Sequence, residues 1–135
     1  MAFMTWSDKL SVGVKNLDDQ HTVLFNTIND LHTAMMKGQA RSIAGNLLNT
    51  LVTYTRNHFA AEEKLMAAAS YPELTQHCVK HRELTEQVEK YVARYERGDI
   101  TLSVHLLTFL SDWLTNHIQG EDRKYGPWLK EHGVQ

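Results

Sequence analysis

Four long segments of this 135-residue sequence share the spacing of an amphipathic helix, and turn signals separate them. Within each segment apolar residues recur three or four positions apart, as they do on one face of an α-helix. Gly38 and Gly98 end the first and third segments, and Pro72, which cannot sit in a helix interior, follows the second. Four amphipathic helices joined by short connections predict an all-α fold, an up-down-up-down four-helix bundle.

A chain of this length is expected to form one domain around a single core. We expect an irregular N-terminal arm over residues 1–17, the bundle over residues 18–121, and a tail with a short C-terminal helix over residues 122–135. Asp18 is the predicted N-cap of the first helix. The second helix is expected from about residue 42 to about residue 68, and the third from near residue 73 to Gly98.

The stretch "YTRNHFAAEEKLM", residues 54–66, places two polar residues where the helical spacing requires apolar ones. Counting from Leu51 in steps of three and four, the inward stripe includes His58 and Glu62, whereas Glu63 is predicted to face water. A buried carboxylate is costly unless it is paired or coordinates a metal. Glu62 therefore requires a partner from another part of the chain.

Antiparallel packing of neighbouring helices shows where that partner comes from. Residues share a level in the bundle when they lie early in the first and third helices and late in the second and fourth. Histidines and carboxylates at predicted inward positions satisfy this condition on all four helices. They are His21, His58, Glu62, His77, His81, His117 and Asp122. Their convergence at one end of the bundle predicts a metal site.

The spacing of these residues within each helix supports this interpretation. His58 and Glu62 lie four positions apart, as do His77 and His81, which separates the members of each pair by only about 40° around a helix. Five imidazoles and two carboxylates are too many donors for one four-coordinate zinc ion, and a mixed nitrogen and oxygen set suits iron. Two iron ions bridged by the carboxylates would use all seven side chains.

The pair on the fourth helix fits this spacing less well. His117 and Asp122 lie five positions apart, so they diverge by about 140° on an ideal helix. A local distortion such as a π-type turn, or the end of the helix, is therefore needed to bring Asp122 inward.

Other reactive or aromatic residues receive structural interpretations. We expect Trp6, Trp113 and Trp128 in the core, with Trp113 best placed to line a pocket because it lies one turn before a predicted ligand. The remaining three histidines are interpreted as structural, two glutamates as solvated, and the cysteine as a surface or packing residue. They are His32, His105, His132, Glu63, Glu121 and Cys78.

Composition removes several classes of function. A net charge of −2 with both signs interspersed gives no basic surface for nucleic acid or anionic membrane. No segment approaches the roughly 18 apolar residues of a membrane span, and the N-terminus lacks the apolar region of a secretory signal. One cysteine excludes an internal disulfide. We therefore expect a cytoplasmic protein without membrane insertion.

Several long motifs in order give the sequence a resemblance to the hemerythrin family, particularly its single-domain bacterial members. These motifs are "VKNLDDQH", "HFAAEEKLM", "YPELTQHCVKH" and "DWLTNHIQGEDRKYG". The resemblance implies a diiron centre in which His77, His81 and His117 hold one iron, and His21 and His58 hold the other. It further implies that Glu62 and Asp122 bridge the irons together with an oxo or hydroxo group.

By the same resemblance, the iron held by two histidines keeps one position open for dioxygen. Apolar side chains would line the pocket there and exclude water and protons, with Trp6 nearby. The lining residues implied by matching position are Leu24, Phe59, Trp113, Leu114 and Ile118. The charged Glu121 beside Asp122 would alter autoxidation if it turned inward, and we expect that it does not.

The resemblance favours reversible dioxygen binding, used for oxygen carriage, storage or local supply, by a monomer that is not an enzyme. An oxygen-consuming enzyme is the expected recipient. One alternative is a diiron enzyme that reduces peroxide or nitric oxide or acts as a ferroxidase, but such enzymes use Glu-x-x-His pairs. No histidine in this sequence has a glutamate three positions before it. A second alternative is an oxygen or redox sensor that acts through a separate partner.

Overall fold

A computed structural model describes residues 3–38, 41–99 and 104–133. The described chain contains five α-helices: α1 (Lys15–Met36), α2 (Arg41–Ala68), α3 (Leu74–Glu96), α4 (Val104–His117) and α5 (Arg123–Glu131). A short 3₁₀ turn, Asp8–Leu10, precedes α1, and a π-helical segment, Ile118–Asp122, joins α4 directly to α5. Helix α1 packs against α2 and α4, and α2 also packs against α3. This arrangement confirms the predicted up-down-up-down four-helix bundle with a short C-terminal helix.

Leucine, isoleucine and valine side chains from all four long helices fill the interior. The inward positions are those that the helical spacing predicts, because three- and four-residue steps keep side chains on one face. At the end of the bundle where α1 finishes and α2 begins, the interior is apolar. Side chains with no more than 1% exposure include Leu31, Leu48, Leu51, Val88, Leu107 and Leu110.

The first helix begins one turn earlier than predicted, and Asp18 is not its cap. Val14 occupies the N-cap position, and its carbonyl accepts hydrogen bonds from the backbone N–H groups of Leu17 and Asp18. The Asp18 carboxylate instead accepts from the Ser11 hydroxyl at 2.6 Å and from the Val12 N–H at 2.9 Å. The prediction for Asp18 was therefore wrong, because its partners lie in the arm before the helix.

The N-terminal arm is fastened to the bundle at a second point and lies close to α5. Asn29 accepts from the Met4 N–H at 2.6 Å and donates to the Met4 carbonyl at 2.9 Å. Gly126 of α5 lies so close to the arm that a Cβ there would stand 2.2 Å from the Val12 carbonyl oxygen. Only glycine permits this approach without a backbone shift.

The other helix boundaries lie within a few residues of their predicted positions. Helix α2 ends at Ala68, before Pro72, and α3 ends at Glu96, two residues before Gly98. Gly98 has a φ of +82°, a left-handed conformation that favours glycine at a helix end. Among the described residues, no helix combines the length and apolar character needed to cross a membrane.

Candidate metal centre

Seven buried histidine and carboxylate side chains meet at the end of the bundle opposite the apolar interior. They form two groups, and within each group the potential ligand atoms all lie within 4.8 Å of one another. One group contains Glu62, His77, His81, His117 and Asp122, and the other contains His21, His58, Glu62 and Asp122. None of the seven is more than 6% exposed. Two carboxylates therefore belong to both groups, and the structure brings all seven predicted residues together.

Glu62 lies between the histidines of three helices. Its Oε1 contacts Nε2 of His58 and lies 3.6 Å from Nε2 of His21. Its Oε2 lies 3.7 Å from Nε2 of His77 and 3.9 Å from Nε2 of His81. The two oxygens of this carboxylate thus face different histidine groups.

Asp122 divides its oxygens in the same way. Its Oδ2 lies 3.0 Å from Nε2 of His21. Its Oδ1 lies 3.0 Å from Nε2 of His77 and 2.9 Å from Nε2 of His117. A carboxylate oriented in this way is able to bridge two cations.

The π-helical segment explains how Asp122 reaches the cluster. It begins immediately after His117 and ends at Asp122, and α5 continues from there. Hydrogen bonds between residues five apart realign side chains that a regular helix would turn away from each other. Both residues are buried, so the predicted distortion is confirmed.

Many polar atoms in the cluster are buried but make no hydrogen bond of acceptable geometry with the described residues. They include Nε2 of His21, His58, His81 and His117, both carboxylate oxygens of Glu62, and Oδ2 of Asp122. Each buried polar atom left in this state costs about 1–3 kcal/mol. Metal ions would satisfy these atoms together, and a set of imidazole nitrogens and carboxylate oxygens suits iron. The residues present therefore fit a metal centre.

Electrostatics within the cluster favour cations. Burial raises the pKa of Asp122 and of Glu62, but the surrounding histidines outweigh burial and hold both pKa values below their usual range. Burial lowers the pKa of His21 and His77, yet Asp122 and Glu62 outweigh it and raise both values to about 9. The two buried carboxylates thus carry negative charge that protons or metal ions must balance.

Two histidines of the cluster contact, through Nδ1, side chains that the sequence interpretation did not assign to the site. Nδ1 of His81 lies 2.7 Å from Oε2 of Glu63, and Nδ1 of His58 lies 2.6 Å from Oε1 of Gln20. Glu63 was predicted to face water, and it does so only in part, because its side chain is 34% exposed and its carboxylate also contacts Nδ1 of His81. Gln20 directly precedes His21, and this adjacency was the only feature of the sequence that could have placed Gln20 near the site.

Tyr125 is a third residue that the sequence interpretation missed. Its side chain is fully buried, and its ring centroid lies 5.5 Å from that of His77. Burial, followed by Glu62 and Asp122, raises the pKa of its phenol well above the usual value. A neutral hydroxyl is therefore held beside the carboxylates.

Apolar and aromatic side chains surround the cluster. The Phe59 ring stacks on the His81 ring at 3.8 Å between centroids, and its centroid lies 5.5 Å from that of His117. Trp6 of the arm lies 6.3 Å from the His21 ring. The predicted pocket residues are all buried, and they are Leu24, Phe59, Trp113, Leu114 and Ile118.

The other histidines lie outside both ligand groups. His32 stacks on Phe3 at 4.8 Å, His132 stacks on Trp128 at 4.4 Å, and His105 is exposed. All three lie outside the cluster, as the sequence predicts, but the exposed position of His105 gives no support to its structural interpretation.

Two further residues near the cluster do not join the ligand groups. Cys78 is half-buried, and burial, followed by Glu63, raises the pKa of its thiol. Glu121 is half-buried rather than fully solvated, and it pairs with Lys124 at 3.8 Å. The expectation that Glu121 does not turn into the site agrees with this pairing. Trp6 and Trp128 are also half-buried, so of the three tryptophans only Trp113 is buried in the core.

The fold and the cluster together define a class of protein, a four-helix bundle built around a buried metal centre. The family model described as the hemerythrin HHE cation binding domain matches residues 12–129. The chain belongs to the hemerythrin family. Family membership implies a non-haem metal centre, and the cluster of histidines and carboxylates is able to hold one.

Individual relatives agree with this assignment over nearly the whole chain. The bacteriohemerythrin of Stenotrophomonas maltophilia is 38% identical over 98% of this chain and 85% of its own length. That of Pseudomonas aeruginosa is 35% identical over 93% of this chain and 80% of its own length. A solved structure of wild-type hemerythrin has a TM-score of 0.88 and 32% identity, covering 95% of this chain and 98% of that one.

Proposed function

We propose that this protein binds dioxygen reversibly at a non-haem centre of two iron ions. The observation that carries the proposal is the division of seven buried ligands into two groups that share Glu62 and Asp122. One iron would be held by His77, His81 and His117, and the other by His21 and His58. Its relatives are named hemerythrins, which supports iron and dioxygen as the metal and the ligand.

The two groups differ in the number of histidines, and this difference suggests where dioxygen enters. Three histidines serve one group, whereas only His21 and His58 serve the other beside the shared carboxylates. The second metal position thus has one protein ligand fewer. Iron held there would supply the affinity for dioxygen that protein side chains lack, and the missing protein ligand would leave one coordination position for it.

The residues around the centre would then control what else can enter. Buried apolar side chains, including Phe59, Trp113 and Leu114, pack around the histidines and would limit the access of water to the centre. Excluding water and protons protects a bound oxygen molecule from loss as peroxide. Carriage, storage or local supply to an oxygen-consuming enzyme would require that the oxygen can be released again as dioxygen rather than as peroxide. With two carboxylates and five histidines, the site lacks the Glu-x-x-His pairs of diiron oxidases.

Iron content is the first test, with the exposed His105 as a matched control for His58. Wild-type protein and His105→Ala should each contain two irons per chain. His58→Ala should lose the second iron and all dioxygen binding. One zinc per chain in wild-type protein, or one iron at full occupancy, would contradict the paired site.

Reversibility is the second test. Reduced protein mixed with oxygenated buffer in a stopped-flow instrument should form a coloured adduct, and argon purging should return it to the colourless reduced state. Immediate irreversible oxidation, with repeated consumption of an added reductant, would favour a diiron enzyme instead.

A further inference from the structure

Two of the proposed ligand histidines contact different kinds of oxygen through Nδ1, the ring nitrogen that faces away from the shared carboxylate Glu62. The Nδ1 atom of His81 meets the carboxylate of Glu63 at 2.7 Å, and Nδ1 of His58 meets the side-chain amide oxygen of Gln20 at 2.6 Å. Nε2 of each histidine faces the shared carboxylate Glu62. When Nε2 is a ligand, Nδ1 carries the hydrogen and donates it. Both oxygens therefore act as hydrogen-bond acceptors that fix the tautomer and the direction of a ligand ring.

The two acceptors also connect neighbouring helices in the same way. Gln20 is adjacent in sequence to His21 on α1 and supports His58 on α2. Glu63 is adjacent to Glu62 on α2 and supports His81 on α3. Each acceptor thus stands beside a ligand of its own helix and holds a ligand of the next helix.

Charge is what separates the two acceptors. A carboxylate forms a stronger, charge-assisted hydrogen bond with an imidazole N–H than a neutral amide oxygen does. Glu63 keeps contact with water because it lines an open groove of about 410 Å³ between α2 and α3, and 34% of its side chain is exposed. Its negative charge is therefore solvated as well as shared with His81. His58 receives no such charge from Gln20.

We propose that Glu63 is a positioning residue that makes His81 a more electron-donating ligand and lowers the reduction potential of the metal held by three histidines. Gln20 fixes His58 without this effect, so the metal held by two histidines keeps a higher potential. A more donating ligand stabilises the more oxidised metal, and a carboxylate partner raises the basicity of a ligand histidine. This inference rests on the proposed function, because it requires redox-active metal at both positions.

Exchanging the two acceptors tests the proposal. Glu63→Gln keeps an oxygen near Nδ1 of His81 but removes the charge, and Gln20→Glu adds a charge near Nδ1 of His58. Spectroelectrochemical titration of the iron-loaded proteins should show a more positive midpoint potential for Glu63→Gln and a more negative one for Gln20→Glu. Opposite signs are decisive, because general loosening of the site would not shift the two variants in opposite directions.

The matched control is Glu86→Gln, which makes the same substitution at an exposed residue of the same groove. Its potential should equal that of wild-type protein. If Glu63→Gln matches Glu86→Gln, or if both exchanged variants shift in the same direction, the proposal is overturned. Should Gln20→Glu fail to hold iron, the comparison of Glu63→Gln with Glu86→Gln still decides the role of Glu63.

Iron retention gives a second readout that does not depend on oxygen. Glu63→Ala removes the acceptor altogether, and loss of such a partner typically weakens metal affinity about 10- to 100-fold. Iron loss to a chelator should therefore be faster in Glu63→Ala than in Glu63→Gln, and equal rates would contradict the positioning role. Wild-type protein that holds two redox-active irons but never binds dioxygen would refute the proposed function and leave this comparison intact.

Discussion

The two ends of the bundle bury opposite kinds of side chain. At one end, Leu31, Leu48 and Leu107 are almost completely buried and pack against side chains of their own kind. At the other end, Glu62 and Asp122 are buried to the same degree but are charged, and several of their oxygens lack hydrogen bonds within the described chain.

This difference indicates which end of the bundle is stable without bound metal. Each buried leucine stabilises the apolar end by about 1.5–3 kcal/mol without help from any other group. The histidine-rich end gains little from burial, because charged groups there have left water and require cations to balance them. The two ends should therefore respond differently when metal is removed.

Metal removal should produce the largest effect. Binding that requires ligands from four helices contributes directly to folding, so we expect a loss larger than the about 2–5 kcal/mol that one core cavity costs. Thermal unfolding should occur at a lower temperature in chelator-treated protein. Hydrogen exchange should increase first around His58 and His117 and last around Leu48. Equal melting temperatures with and without metal would show that the histidine-rich end folds independently of metal.

A pair of leucines one turn apart on α4 sharpens the comparison. Leu110 is fully buried and Leu114 is 2% exposed, so truncation to alanine should lower the free energy of unfolding by about 2–5 kcal/mol in either case. Only Leu114→Ala should also speed oxygen exchange and autoxidation, because it opens the proposed pocket while iron content stays intact. Stopped-flow traces compare the two variants directly. Identical oxygen kinetics in both would remove Leu114 from the pocket.

Gly126 offers a smaller, steric test near the N-terminal arm. A methyl group added there would meet the Val12 carbonyl oxygen at 2.2 Å, so backbone must shift, at a cost of about 1–3 kcal/mol. The matched control is Gly120→Ala, where nothing lies within 4 Å of the added carbon. Urea denaturation should show a lower free energy of unfolding for Gly126→Ala and no loss for Gly120→Ala. Equal stabilities would mean that the arm moves away freely.

The bundle and its cluster of buried histidines and carboxylates follow from features that the sequence carries locally. Three- and four-residue spacing gives the face of each helix, and antiparallel packing fixes which helix ends share a level. The same reasoning predicted the distortion after His117, because five-residue spacing cannot place two ligands on one face of a regular helix. These predictions depend on the angular position of each residue around its helix axis, which follows from its position in the sequence.

Side chains at the edge of a buried face were predicted less well. Glu63 lies next to Glu62, and helical spacing directs its Cα–Cβ bond away from the core. Its long side chain nevertheless reaches back to His81. Asp18 was assigned to a helix cap because its partners Ser11 and Val12 belong to an arm with no periodic pattern. In both cases the deciding contact joins separate elements, so local spacing carries no signal for it.

The last comparison concerns the pH dependence of stability in metal-free and metal-loaded protein. In the metal-free state, burial lowers the pKa of His21 and His77, but Asp122 and Glu62 raise both to about 9, above the usual value of 6.5. Their protonated forms stabilise the fold fully below pH 6.5, and this stabilisation is lost as pH rises through about 9. Burial lowers the pKa of His81 to about 4, so its contribution is lost as pH falls from 6.5 towards 4.

Metal-free protein should therefore be most stable near pH 6.5, the value of an unperturbed histidine. Metal-loaded protein should not lose stability through these histidines between pH 6.5 and 9, because metal ligands carry no proton to lose. Urea denaturation at both pH values, with and without chelator, measures the difference. His77→Gln should reduce the alkaline loss in metal-free protein, whereas the exposed-site control His105→Gln should leave it unchanged. Metal-free protein that is equally stable at pH 6.5 and 9 would show that the buried carboxylates are balanced by something other than protonated histidines.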